Sequence, residues 1–527
     1  MKKIQSFALI PAATLVLVLS AVGATSCGGS HDPGYVPDMT VNTAGTTIKF
    51  WTGFGTNVNS TINPLLEEFT EQTGITVQYE PKGGYANLQS AVNLAATSGE
   101  YPNLVNGYPD HFVGYVTSNI ITRLDGYIAA DKNIPLLTES QSKDPIAATD
   151  PINQHMNYED FYADYRRENE QIEFDTDGKG YVLGVPFNKS TEVGTYNKTM
   201  LGMLQHFDST IKLPETYAEI VSEGTKIMKV LNDIGLWNKV IGKNYVVYAD
   251  SAAATSAGTS VLLDFGAVDQ DHFKVMSYNS TDNWFITGVR QWGGTYTDKD
   301  MATGRGYVAF DNEYTRTFLS DLEVLFNDGY LGIPATWEES LYCSGPFTLN
   351  KTMINISSSA GVYASVPAGD TFEVGVCAVP YKDAEHAYVI SQGTNLCLLD
   401  KGTDAERVAS WKLLRFLSQE MNADFVIGTG YYPTGVSVAS SDTYQAYLNS
   451  TRTKSSDKLQ IAAAKLNTEV YNGTDSVWQF FVDAPFNGSS YIRATVATII
   501  GTLFYGDDKN IDHIIANILA TLSDYVR

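Results

Sequence analysis

Between residues 46 and 106 the hydrophobic period switches back and forth between two and about 3.6, a pattern that few folds can accommodate. Residues 46–52 alternate, with Ile48 and Phe50 on one face, and Ile62, Leu65, Leu66 and Phe69 then recur at the spacing of one helical face. Asn63 with Pro64 is the expected start of that helix and Gly74 its stop. Ile75, Val77 and Tyr79 alternate again, residues 88–96 read as a second helix, and residues 103–106 as a third strand. The order is βαβαβ, which predicts an α/β fold with a mostly parallel sheet covered by helices on both faces. The alternation returns at residues 372–380 and 395–399, and in a helix over 405–417 whose Val408, Trp411, Leu414 and Leu417 share a face. A last helix carries Ile511, Ile514, Ile518, Leu522 and Tyr525.

The amino terminus does not belong to that pattern. Met1, Lys2 and Lys3 precede an apolar stretch over 7–23, closed by the small residues Gly23, Ala24, Thr25, Ser26 and Cys27. Residues 1–26 therefore read as a signal peptide. The run Ala24-Thr25-Ser26-Cys27 resembles a bacterial lipobox, which implies that Cys27 is lipid-modified and opens the mature chain; cleavage after Ala24 is the alternative. Residues 27–45, rich in Gly, Pro, Asp and Thr without an apolar period, read as a flexible tether. The expected location is the extracytoplasmic face of a membrane, held by the lipid alone.

Composition narrows the chemistry. With 35 basic and 59 acidic residues the formal charge is −24, so a phosphate backbone would meet repulsion over most of the surface and no nucleic-acid partner is expected. Four cysteines in 527 residues are too few for a disulfide framework, and buried small residues are the preferred reading of Cys343, Cys377 and Cys397. Seven histidines at 31, 111, 155, 206, 272, 386 and 513 show no metal-ligand spacing, so no metal or cofactor is expected. Neither a G-x-S-x-G elbow nor a phosphate-binding loop occurs, and Asp175-Thr176-Asp177-Gly178 reads as a turn rather than a calcium loop. Enzyme readings have no positive support.

Seven short motifs then follow one another in order. In the first half these are Lys82-Gly83-Gly84-Tyr85, the run Pro186 to Thr191 (PFNKST) and Tyr196-Asn197-Lys198. In the second half come Ser357-Ser358-Ser359-Ala360-Gly361, the run Gly375 to Tyr381 (GVCAVPY), Gln392-Gly393-Thr394-Asn395 and the run Thr429 to Thr434 (TGYYPT). From about Ile48 to the carboxyl terminus the chain resembles the carbohydrate-type extracellular solute-binding proteins of bacterial ABC importers, most closely the branch that binds sn-glycerol-3-phosphate.

The resemblance implies a type II periplasmic-binding-protein-like fold of two lobes, joined by hinge strands and closing over a ligand. Lobe 1 is expected over 46–192 plus 377–420 and lobe 2 over 195–374 plus 430–527. The ligand contacts carried over are Tyr85, Asp110, Ser190, Ser359 with Ser358 as its neighbour, Gly393, Tyr431 and Arg493. Asp110 follows Pro109, one residue later than the family's acidic contact, and the tryptophan pair of the glycerol-phosphate branch is missing from 244–266. Tyr432 is the alternative to Tyr431 for the cleft. The implied ligand is glycerol-3-phosphate or a glycerophosphodiester, with a neutral mono- or oligosaccharide as the alternative. The implied partners are ABC permease subunits with a cytoplasmic ATPase, and the protein is expected to be a monomer. A surface carbohydrate hydrolase, with two carboxylates about 5 to 9.5 Å apart, and an adhesin are the readings from other classes.

Overall fold

A strand sends alternate side chains to one face, and in the strand Thr47–Thr52 those of Ile48 and Phe50 are fully buried. The computed structural model describes residues 35–131, 155–300 and 303–527. The expected signal peptide, Cys27 and the first part of the tether lie outside the described residues. The later part of the expected tether reaches the fold before Gly45: Met39 and Thr43 are buried, and the Tyr35 ring meets Tyr127 at 6.0 Å.

Helix Asn59–Thr73 buries Ile62, Leu65, Leu66 and Phe69, the four residues at one-face spacing. It begins earlier than Asn63, so Pro64 lies inside it and forfeits one backbone bond near the start, where the remaining turns and the buried face still hold the helix. Gly74 ends it at φ 68°, with its amide bonded to the Thr70 carbonyl. Strand Thr76–Pro81, helix Tyr85–Ala96 and strand Leu104–Gly107 complete the unit.

One ten-stranded sheet runs through the molecule. Its order is Leu331–Gly332, Lys274–Tyr278, Thr352–Ser358, Val185–Asn197, Tyr388–Leu398, Leu104–Gly107, Thr47–Thr52 and Thr76–Pro81. Val374–Cys377 and Gln479–Phe481 pair off that path. The three outer strands at each end are parallel to one another, while every pairing of Val185–Asn197 is antiparallel. The mostly parallel character expected from βαβ order therefore belongs to the outer part of each lobe. The two long central strands break it, because they run from one lobe into the other.

Those two strands mark the junction. Val185 to Thr191 pair with Tyr388–Leu398, whereas Glu192 to Tyr196 pair with Thr352–Ser358. In Tyr388–Leu398, residues up to Ile390 pair with Gln479–Phe481, and residues from Ser391 pair with Val185–Asn197. Hydrophobic cores lie on either side. One gathers Val193, Ile356, Trp284, Ile390 and Ile500; the other gathers Ile48, Phe187, Trp411, Tyr432 and Tyr447, with a smaller cluster around Leu88, Tyr115 and Cys397. Val379 and Val389 pack in the first of these cores and Tyr444 and Leu448 in the second, and helix Ser455–Leu466 supplies residues to both. Each fully buried large apolar side chain contributes about 1.5–3 kcal/mol, so both cores stabilise the fold on either side of the polar central strands. Cys343, Cys377 and Cys397 are unpaired thiols. No helix among the described residues is long and apolar enough to cross a membrane.

Candidate functional site

The floor between the lobes opens into a cleft of ≈ 970 Å³. Ser190 and Glu192 come from one long strand, and Ser391, Gln392 and Gly393 from the other. The first lobe adds Tyr85, Tyr108 and Asp110; the second adds Asp282, Asn283, Ser358, Tyr363 and Arg493.

Backbone geometry places the aromatic wall. Gly83 and Gly84 have φ of 70° and 154°, conformations open to glycine, and they turn the chain so that Tyr85 opens helix Tyr85–Ala96 with its ring in the cleft. That ring lies against Gly53, where a Cβ would sit 2.3 Å from Tyr85 Cδ1. Asn188 Nδ2 donates to the Tyr85 hydroxyl at 3.2 Å, the Tyr431 hydroxyl lies 3.5 Å away, and Tyr108 meets the ring edge-on at 5.0 Å. Gly430, at φ 81°, ends helix Asn422–Thr429 and leaves Tyr431 lining the cleft. Tyr432 turns inward, where its hydroxyl donates to the Ala463 carbonyl at 3.1 Å. Burial raises the Tyr85 and Tyr431 pKa values, so both phenols are neutral hydrogen-bonding groups.

Gly393 has φ 100°, and a Cβ there would lie 1.9 Å from the Asn188 carbonyl oxygen. No other residue fits, because the two floor strands approach too closely. The adjacent serines at the end of strand Thr352–Ser358 part company. Ser358 lines the cleft, while Ser359 lies behind the floor, fully buried, its Oγ accepting from the Thr191 amide at 3.3 Å. Seven of the eight residues expected at the site thus line one cleft, and Ser359 supports its floor instead.

The charged groups are the informative ones. Arg493 lines the cleft with 36 % of its side chain exposed, but two of its three nitrogens are already engaged: Nε donates to Asp282 Oδ2 at 3.0 Å and Nη2 to Asn283 Oδ1. Among the cleft acids, Glu168 pairs with Lys189, Asp282 with Arg493, and Asp483 with Arg290 at 3.1 Å. Glu192 accepts from Tyr278 and Asn283, and burial pushes its carboxyl up to about 8 against those two hydrogen bonds. Asp110 Oδ1 is buried with no hydrogen-bond partner among the described residues, and the nearby ring nitrogen His111 Nε2 is 3.9 Å away. Burial lowers the His111 pKa, so that ring is neutral. His111 Nδ1, Tyr296 Oη, Asn355 Nδ2, Ser357 Oγ and Ser391 Oγ, all on cleft-lining residues, are likewise buried without partners among the described residues.

Sequence reasoning missed Glu192 as a cleft group, along with Asp282 and Asn283. An acid inside an otherwise uncharged stretch, Ser190 to Asn197, was the available signal for Glu192. Asp282 and Asn283 carried no signal, since only packing brings helix Thr281–Gln291 beside helix Ser489–Val496.

Two lobes on shared central strands, with an aromatic and polar cleft between them, define a protein that encloses a small solute. The sequence matches the bacterial extracellular solute-binding proteins over residues 65–451, more than half of its length, and the chain belongs to that family. Its place is accordingly extracytoplasmic. No curated relative matches the sequence. Among solved structures, UgpB from Mycobacterium tuberculosis in complex with glycerophosphocholine shares 15% identity, covers 91% of this chain and 98% of its own, and has a TM-score of 0.63. The GacH receptor of Streptomyces glaucescens, solved unliganded and with acarbose, shares 14% identity over 91% and 98% at a TM-score of 0.59. The MalE maltose/maltodextrin-binding domain from Bdellovibrio bacteriovorus, bound to maltotriose, shares 14% over 91% and 100% at 0.58. At these identities the likeness is one of fold.

Proposed function

We propose that the protein captures a neutral, hydroxyl-rich carbohydrate outside the membrane and delivers it to the permease of an ABC importer. The observation that carries this reading is the inventory of unpartnered cleft atoms. Asp110 Oδ1 can only accept, the Asn355 amide nitrogen can only donate, and the Ser357, Ser391 and Tyr296 hydroxyls do both. Sugar hydroxyls, each a donor and an acceptor, match such a mixture. A phosphate, which accepts only, would face the Asp110 carboxylate with the cleft's arginine already engaged by Asp282 and Asn283. The cleft tyrosines supply rings for stacking against sugar faces.

A second reading is glycerol-3-phosphate or a glycerophosphodiester. Arg493 favours it, because its other terminal nitrogen, Nη1, has no partner among the described residues. Calorimetric titration with maltotriose, glycerol-3-phosphate and glycerophosphocholine separates the two: binding of the sugar with neither phosphate supports the first reading, and the reverse overturns it.

The remaining parts of the proposal are a Cys27 lipid anchor, a monomeric state and no catalytic role. Mass spectrometry of membrane-extracted protein should show a diacylglyceryl adduct, and a mature chain beginning at Thr25 would remove the anchor from the reading. We place the lobe limits where the cores divide, so that residues 379–390 go with the second lobe and residues 430–448 with the first. Ligand should draw the lobes together, measurable as a smaller radius of gyration in solution scattering.

A further inference from the structure

Glu192 occupies a singular place: it is the first residue of the long strand to pair with the second lobe, after Thr191 has paired with Ser391. Its backbone carbonyl accepts from Tyr471 Oη at 2.9 Å, and its two carboxyl oxygens take one donor each, Tyr278 Oη and Asn283 Nδ2. Asn283 is buried and uses both ends of its amide, the nitrogen toward Glu192 at 3.2 Å and the oxygen toward Arg493 Nη2. A flipped amide would set its NH2 against the arginine, which only donates, and its oxygen against the carboxyl, so the guanidinium and the ionised Glu192 together hold Asn283 in the observed orientation. On the far side Tyr278 is fixed by stacking on Trp284, with ring centroids 4.7 Å apart and planes at 7°.

We propose that Glu192 is a positioning residue of the cleft: through Asn283 it sets the guanidinium of Arg493, and so ties the cation of the second lobe's wall to the strand on which the lobes turn. The reading of the cleft as a solute site gives this relay its use, but the relay can be tested without any solute.

Asp282 and Arg493 form a pair beside Glu192, on helices Thr281–Gln291 and Ser489–Val496. Tyr278, Tyr217 and Tyr471 surround it from three further elements, and burial raises all three phenols, so they stay neutral where Glu192 titrates. Loss of the Glu192 proton near pH 8 therefore places a new negative charge one amide away from Arg493. It strengthens the hold on Asn283 and polarises the whole chain of bonds.

The experiment uses the whole protein labelled with 15N in arginine only. The Arg493 Nε–Hε resonance, assigned by its loss in Arg493→Lys, is followed from about pH 6 to about pH 10. An inflection near pH 8 is expected in the parent, with none in Glu192→Gln. Asn283→Ala, which removes the bridge and leaves Glu192 in place, should at least halve the shift; this variant decides the matter if Glu192→Gln does not fold. A flat Arg493 resonance in the parent overturns the proposal, as does an inflection that survives unchanged in either variant. Because no solute is present, failure here is distinct from failure of the carbohydrate reading.

Discussion

Substituting glutamine for Glu192 should change the pH dependence of stability in a direction opposite to that of ordinary acid denaturation. The Glu192 carboxyl is raised to about 8 from an ordinary value of 4.5, with burial as the first cause. Between those values the native state keeps a proton that the unfolded chain releases, so stability falls as pH rises through the window. About 3.5 pH units at about 1.4 kcal/mol each give a loss of about 5 kcal/mol across it. A glutamine side chain would carry no such proton. Like the protonated carboxyl, it would offer one carbonyl oxygen and a donor, and the Tyr278 hydroxyl can accept from that donor. Glu192→Gln should accordingly be close to the parent in stability near the acid end of the window and exceed it increasingly as pH rises toward 8. Urea denaturation of both proteins across this range, followed by tryptophan fluorescence, measures the difference. Glu420, a second buried acid raised to about 8, is present in both proteins and cancels. A difference that stays constant with pH would refute the reasoning, since it would mean that Glu192 ionises alike in the folded and unfolded chains.

Four further substitutions follow from the cleft. Arg493→Ala leaves Asp282 reached by solvent but strips the buried Asn283 oxygen of its donor, so apo stability should fall by about 1–3 kcal/mol; loss of about 2–5 kcal/mol of binding to an anionic solute, by calorimetry, would restore the phosphate reading. Gly393→Ala forces a Cβ into the Asn188 carbonyl at positive φ and should cost at least about 2–3 kcal/mol in a denaturant titration, with both floor strands affected. Ser359→Ala should lower stability by about 1 kcal/mol through the lost Thr191 bond and leave the affinity for a bound sugar nearly intact, whereas Ser358→Ala should do the reverse.

Local conformation was legible wherever it rests on short-range rules. The face of helix Asn59–Thr73, the stop at Gly74 and the turn at Gly83-Gly84 depend on helical period and on positive φ, and each can be read from a few neighbouring residues. Resemblance marked Tyr85 and Tyr431 as ligand contacts, and for Tyr85 the two preceding glycines gave a local reason as well. The motif alone did not say which of Ser358 and Ser359 looks into the cleft, because the strand ends between them and the side on which the other lobe lies decides it.

The tertiary structure alone decided the electrostatics. Glu192, Asn283 and Arg493 are separated in sequence by 91 and 210 residues, and nothing local marks them as neighbours. Their meeting turns an arginine that resemblance marks as an anion receptor into one largely committed to the protein's own acid and amide. Which core a buried residue joins was hidden for a similar reason. Tyr444 and Leu448 pack in the core of Trp411 and Val379 and Val389 in that of Trp284, while two long strands and one helix carry the chain across the junction. Hydrophobic period reports that a side chain is buried, and the period is the same whichever core receives it.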